Sequence, residues 1–217
     1  MTTPEKHFLL TLHLQSAELH LGDLAKCAEE TERMISAEAE RHRSRVEKQL
    51  AEIEDEELRQ IYCDDASEEW EQLTHTFPLL LRSALFSKSF SAFETYLLRA
   101  AEAYRIRAGI QLGLADLRGD GLEKAKTFFV KVAGLPFPAI SAHWSDLCKL
   151  GEIRNAMVHR DSVLAEDRRK PLDDFLRSKF PSVSVSPKGR LSLSAEACSK
   201  LIDLCGAFTK EFRLLLR

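Results

Sequence analysis

The sequence has few of the residues that break a chain or staple it. Nine glycines and seven prolines in 217 residues exclude collagen-like or Pro/Gly low-complexity character. No apolar run approaches the ~20 residues needed to cross a bilayer, so no membrane span or membrane partner is expected. The apolar patch from Phe8 to Leu14 is interrupted by Thr11 and His13 and preceded by a single lysine, Lys6. It has no clear small-residue cleavage site, so a signal peptide is not expected. Five cysteines, Cys27, Cys63, Cys148, Cys198 and Cys205, include no CxxC pair. Their odd number and irregular spacing argue against a disulfide framework and fit a reducing cytoplasm. The thiols are expected as small buried hydrophobes. Cys198 and Cys205, seven apart on one expected helix, are too distant to bridge. There is no HExxH and no spaced Cys/His quartet, so neither a metal nor another cofactor is expected.

What is present is 44% hydrophobic and 30% charged residues, with a formal net charge of −3. The length suits one or two domains and is ample for a buried core. The small net charge hides an asymmetry. Residues 1–75 carry 8 Lys and Arg against 19 Asp and Glu, a net −11, and the remainder is net +8. A basic remainder attracts a polyanion, and an acidic arm repels one.

Between about Ser16 and Glu54 there is no proline, and the single glycine is Gly22. Leu21, Leu24, Ala28, Thr31, Ile35, Ala39, His42, Val46, Leu50 and Ile53 recur at helical spacing. They predict a long helix with a narrow seam. Ala, Thr and His in the seam make a weak zipper, better suited to packing on a neighbouring helix than to dimerising alone. A second stretch follows through Leu58, Ile61, Tyr62, Trp70 and Leu73, and Phe77-Pro78 is expected to break or kink it. Pro78 suits the first turn of the next helix. That helix carries Leu81, Leu85, Phe86, Phe90, Phe93, Leu97, Ala100, Ala101 and Tyr104, a wide aromatic stripe fit for the centre of the core.

Gly119-Asp120-Gly121 predicts a turn, Leu122 to Val132 a short helix, and Gly134-Leu135-Pro136 its stop. Without a GxxxxGK or a preceding strand, the glycines do not form a phosphate loop. Ser141 is the expected N-cap of a helix through Trp144, Leu147, Leu150 and Ile153 to about Val158. Beyond Leu164 a polar, charged loop is expected. Alternation on either side of Pro187-Lys188-Gly189 then predicts a β-hairpin over residues 182–193. A final amphipathic helix begins near Ser194 and carries Leu201, Leu204, Phe208, Phe212 and Leu215. The expected fold is all-α, a helical bundle with one small hairpin.

The chemistry concentrates in Glu152-Ile153-Arg154-Asn155-Ala156-Met157-Val158-His159-Arg160-Asp161. Asn155 is the chain's one asparagine, placed inside a helical pattern that disfavours it. Asn155 and His159 lie one turn apart on one face, with Arg154 about 100° around. Ile153, Met157 and Val158 are expected to point into the core. Imidazole, amide and guanidinium together supply what metal-free RNA cleavage needs. The imidazole moves a proton at neutral pH, and the guanidinium clamps a phosphate whose charge grows in the transition state. One imidazole does not serve easily as both base and acid in one step, and a two-fold dimer would provide the second. The plainer alternative is an Arg and a His on a solvated helix face. His143 beside Trp144 is better suited to capping or packing than to this site. His7, His13, His20, His42 and His75 lie on the acidic arm without ligand spacing. Arg168-Arg169-Lys170 is either an RNA-phosphate contact, with Arg160, or a solvated stretch.

Arg154-Asn155-x3-His159 resembles the R-x4–6-H motif of the HEPN superfamily, and Asn155 fits the polar second position. The helix from Ser83 to Leu97, with its aromatic-Glu step at Phe93-Glu94, looks like the helix that precedes the motif helix in that superfamily. The resemblance covers roughly residues 78–217 and leaves residues 1–77 as an acidic helical extension outside it. It implies a metal-independent endoribonuclease of the kind found in toxins, antiviral defence and RNA processing. Products would be a 2′,3′-cyclic phosphate and a 5′-hydroxyl, and the protein would be a homodimer with a shared site. Carried over by residue, Arg154 and His159 would be catalytic, with Asn155 supporting them and Glu94 orienting Arg154. A regulatory partner or antitoxin is also implied. Some members carry a control tyrosine two residues past the histidine; here that position is Asp161. Two other classes stay open: a non-catalytic HEPN-like module that binds RNA or nucleotide, and a coiled-coil interaction protein working through its N-terminal helix.

Overall fold

The long proline-free stretch folds into one helix of fifty residues, α1 (Thr3–Glu52), about 75 Å long at 1.5 Å per residue. The computed structural model describes residues 3–119, 121–135 and 143–215. The seam of α1 faces protein along its length: Leu21, Ala28 and His42 are buried, and Leu24, Thr31, Ile35, Ala39, Val46 and Leu50 are half-buried between them. Leu21 and Ala28 belong to the main hydrophobic core. Further along, the seam meets α2 (Glu56–Glu71), where the His42 Nε2 lies 3.1 Å from the Ala66 carbonyl oxygen. Asp55 starts α2 as its N-cap, accepting from the Glu57 and Leu58 N–H groups at 2.8 and 3.1 Å.

Of the break or kink expected at Phe77-Pro78, the break does not occur. The chain passes from α2 through a π-helical turn, Gln72–Thr76, straight into α3 (Phe77–Ala108). Pro78 has no N–H to give, and its ring crowds the carbonyl four residues back. The wider turn, in which the Phe77 N–H reaches back five residues to the Gln72 carbonyl, accommodates it without ending the helix. Phe86, Phe90, Phe93, Leu97, Ala100 and Ala101 of α3 are buried as their spacing predicts, while Leu81 is exposed. Gly109, at φ +69°, ends the helix in the left-handed conformation.

A short helix α4 (Gly121–Thr127) leads into a π turn, Phe128–Val132. Asp120, Pro136 and the expected cap Ser141 lie outside the described residues. The helix α5 (Trp144–His159) ends on the motif histidine. Where a polar loop was expected, residues Glu166–Lys179 form α6. Its density of charge and its internal proline hide it in the sequence, yet Leu172, Phe175 and Leu176 share one buried face. The hairpin forms as expected: β1 (Val183–Val185) pairs antiparallel with β2 (Leu191–Leu193), Val183 opposite Leu193. The last helix, α7 (Ala197–Leu215), buries Leu201, Phe208 and Phe212.

The fold is all-α with one small two-stranded sheet among the described residues. No helix among them is long and apolar enough to cross a membrane. Phe93 and Trp144 both meet Phe208 with ring centroids 5.6 Å apart, so α3, α5 and α7 share one aromatic centre. Arg82 ties the long arm to this body. Its Nε and Nη2 each donate to Glu32 of α1 at 2.7 Å, and its Nη1 donates to the Leu193 carbonyl at 3.1 Å. Of the cysteines, Cys198 and Cys205 are buried, but Cys27 and Cys148 are exposed, contrary to expectation. Both occupy the solvent side of an amphipathic helix, which a small residue adopts as readily as the core side.

Candidate functional site

The site forms where α5 crosses α3. Gly151 allows the approach: a Cβ there would sit 2.9 Å from the Cζ of buried Phe90. One turn further on, Arg154 reaches across to α3. Its Nη2 donates to Ser91 Oγ at 2.8 Å and to Glu94 Oε2 at 3.1 Å, and its Nη1 donates to Asn155 Oδ1 at 2.8 Å. Ser91 and Glu94 stand three residues apart on one face of α3, as a two-point bracket requires. The pair is mostly withdrawn from solvent, with 21% of the Arg154 side chain and 18% of Glu94 exposed. Arg154 Nε is buried and has no hydrogen-bond partner among the described residues. Behind Glu94 stands Gly121, at φ +48°, where an added Cβ would lie 3.0 Å from Glu94 Cδ and closer still to Oε1.

Asn155, His159 and Arg160 are exposed on the outer side of α5 and line a cleft of about 660 Å³ between α5 and α6. Val158 is exposed beside them, not in the core, and Ala156 takes the buried position. The chain then turns sharply. Asp161 and Ser162 have φ of +47° and +59°, a left-handed pair that non-glycine residues adopt only where surroundings enforce it. Enforcement comes from both sides. The Ser162 N–H bonds back to the Ala156 carbonyl at 3.1 Å, and the Leu191 N–H of the hairpin donates to the Ser162 carbonyl at 2.8 Å. Arg190 adds an ion pair to Asp161 at 3.2 Å. The hairpin thus fixes the turn that joins the two walls of the cleft.

The basic run on α6 divides. Arg168 lines the cleft, but its Nε and Nη2 are both given to Glu152 of α5, at 2.7 and 2.5 Å. Arg169 turns away to the hairpin, its Nε 3.4 Å from the Leu164 carbonyl and its guanidinium against Gly189. Lys170 is exposed and outside the cleft lining. His143 lies elsewhere, 3.5 Å from Glu211. Sequence reasoning brought out Arg154, Asn155, His159 and Glu94: Arg154 bonds to both Glu94 and Asn155, and His159 lines the same cleft as Arg154 and Asn155. It missed the positioning roles of Ser91, Gly121 and Gly151. Ser91 had a signal in its three-residue spacing from Glu94, and Gly121 had one in the turn predicted by Gly119-Asp120-Gly121, whereas Gly151 had none. Among the described residues no group of three or more His, Cys, Asp or Glu is arranged to hold a metal ion.

What the arrangement offers chemically is a fixed guanidinium lining the same cleft as an imidazole that makes no hydrogen bond among the described residues. These define the class: an all-α protein with a polar cleft carrying Arg154, Asn155 and His159 on one helix. No family model, no curated protein and no solved structure matches the chain.

Proposed function

We propose that this chain is a metal-independent endoribonuclease of the HEPN type. The observation that carries the reading is the bracket on Arg154. Ser91, Glu94 and Asn155 hold its guanidinium in place on a cleft that exposed His159 also lines and that is wide enough for a nucleotide. In the proposed step His159 takes the proton of a ribose 2′-OH, and the freed oxygen attacks the adjacent phosphorus. The P–O5′ bond breaks as a second copy's imidazole protonates the leaving oxygen, giving a 2′,3′-cyclic phosphate and a 5′-hydroxyl. The remaining Nη1 hydrogen of Arg154 and the exposed guanidinium of Arg160 face the charge that builds on the phosphate. The protein would act as a homodimer.

One observation favours a second reading, a module that binds RNA without cutting it. Three of the five Arg154 donor hydrogens are already committed within the chain. A single experiment separates the two. End-labelled mixed RNA is incubated in EDTA with wild-type protein and with His159→Ala, and the product 3′ ends are analysed. Cutting that survives EDTA, leaves cyclic phosphates and vanishes in the variant supports the nuclease. RNA retention without cutting by a folded, dimeric wild type overturns it in favour of the binding module.

A further inference from the structure

Two arginine–glutamate pairs reach the cleft, and they differ in how far water reaches them. Arg154 and Glu94 are mostly withdrawn, 21% and 18% exposed, so that guanidinium stays where the bracket puts it. Arg168 of α6 and Glu152 of α5 both line the cleft and join its two walls, with side chains 46% and 38% exposed. Arg168 donates from Nε and Nη2 to the two oxygens of Glu152 at 2.7 and 2.5 Å. An ion pair this open to solvent adds little stability, so a competing anion takes the arginine at small cost. The planar fork that fits a carboxylate fits two phosphate oxygens as well.

Helix spacing fixes which phosphate that is. Glu152, Asn155 and His159 stand at i, i+3 and i+7 on α5, along the one face that turns to the cleft. Seven residues at 1.5 Å each put Glu152 about 10 Å from His159 along the helix axis. Arg168 is held at Glu152, about two turns from the imidazole, whereas Arg160 directly follows it. A phosphate placed at His159 between Arg154 and Arg160 is out of position for Arg168. The group that Arg168 suits is a neighbouring phosphate of the same strand.

We propose that Glu152 masks a second phosphate contact: Arg168 leaves Glu152 for the backbone phosphate next to the one at His159 when single-stranded RNA enters the cleft. Glu152 thereby weakens the hold on every polyanion that does not displace it. The inference rests on the endoribonuclease reading for the identity of the strand, but its test does not depend on cutting. Fluorescein-labelled decauridylate is titrated by fluorescence anisotropy, in EDTA, into full-length His159→Ala protein and into that protein carrying Glu152→Gln, Arg168→Ala or both. Both side chains are open to solvent, so every variant is expected to melt with its parent. Glu152→Gln keeps the size of the side chain and removes its charge. It is expected to bind about tenfold more tightly than its parent, the worth of one charge-assisted contact no longer contested. With Arg168→Ala already present, the same change is expected to alter affinity by less than about twofold. The slope of log Kd against log salt is expected to be steeper by about 0.7 in the Glu152→Gln protein than in the double variant, one phosphate's share for a single strand. An equal gain from Glu152→Gln in both backgrounds overturns the masking, because the carboxylate then acts through its field alone. So does the absence of any gain. Cutting by wild-type protein in EDTA without an Arg168-dependent gain counts against the masking alone. The gain without any cutting by wild-type protein counts against the nuclease alone, and decauridylate bound by none of the four proteins counts against both.

Discussion

Gly121→Ala tests whether the Arg154 bracket is a fixed structure, and Gly109 supplies the control. Both glycines have left-handed backbones, φ +48° and +69°, so alanine strains each by roughly 1–2 kcal/mol. They differ in surroundings. A Cβ at Gly109 meets nothing within 4 Å, whereas at Gly121 it meets the Glu94 carboxylate, with Cδ at 3.0 Å. Glu94 has to move, and the ion pair it makes with Arg154 is less than a quarter exposed on either side. Losing a charge-assisted hydrogen bond in such a place costs about 1.5–3 kcal/mol. Gly121→Ala is therefore expected to destabilise by about 2 kcal/mol more than Gly109→Ala, read from urea unfolding followed by far-ultraviolet circular dichroism. In an Arg154→Ala background the excess should fall below about 1 kcal/mol, because the bond is already gone. If the two alanine variants agree within about 0.5 kcal/mol in the native background, Glu94 is not wedged between Gly121 and Arg154 and the bracket is not preset.

Two further perturbations examine the same architecture. Gly151→Ala replaces a poor helix former by the best one, yet it is expected to destabilise by about 1–2 kcal/mol, because the new methyl overlaps the ring of Phe90 and forces α5 off α3; a more stable variant in the same urea assay refutes the close crossing. Thiol labelling with Ellman's reagent is expected to modify exposed Cys27 and Cys148 in the native protein and to spare Cys198 and Cys205 until unfolding. Burial pushes the Cys198 thiol up to about 12 and the fully enclosed Cys205 higher, so neither supplies thiolate at neutral pH; early labelling of either, mapped by mass spectrometry, contradicts the packing of α7.

The helices that bury a wide stripe were legible. Phe86, Phe90, Phe93 and Leu97 repeat at a spacing that only a core-facing helix uses, and the alternation about Pro187-Lys188-Gly189 has no good helical alternative. α6 escaped notice because its buried face is three residues wide, inside a run of charge with Pro171 at its centre. Its stability comes from packing, which periodicity in so short a segment barely registers. The continuity of α2 and α3 escaped for a different reason. Proline's veto on helix interiors assumes bonds spanning four residues, and a π turn reaching five removes the assumption.

At the site, the residues that carry chemistry were legible and those that position them were not. Arg154, Asn155 and His159 announce themselves by type and by one-turn spacing. The bracket depends on where a second helix passes, which is information of tertiary rank. Gly151 shows the limit most clearly. In the sequence it is a mid-helix glycine, a local defect of about 1 kcal/mol. In the fold it is the point at which α5 comes close enough to Phe90 for Arg154 to span to Ser91 and Glu94. Gly121 repeats the case from the other side, since its missing side chain is the space in which the Glu94 carboxylate sits. The guanidinium is thus placed by two absences of a methyl group, one where α5 passes Phe90 and one behind the Glu94 carboxylate. A residue scan for polar groups passes over both.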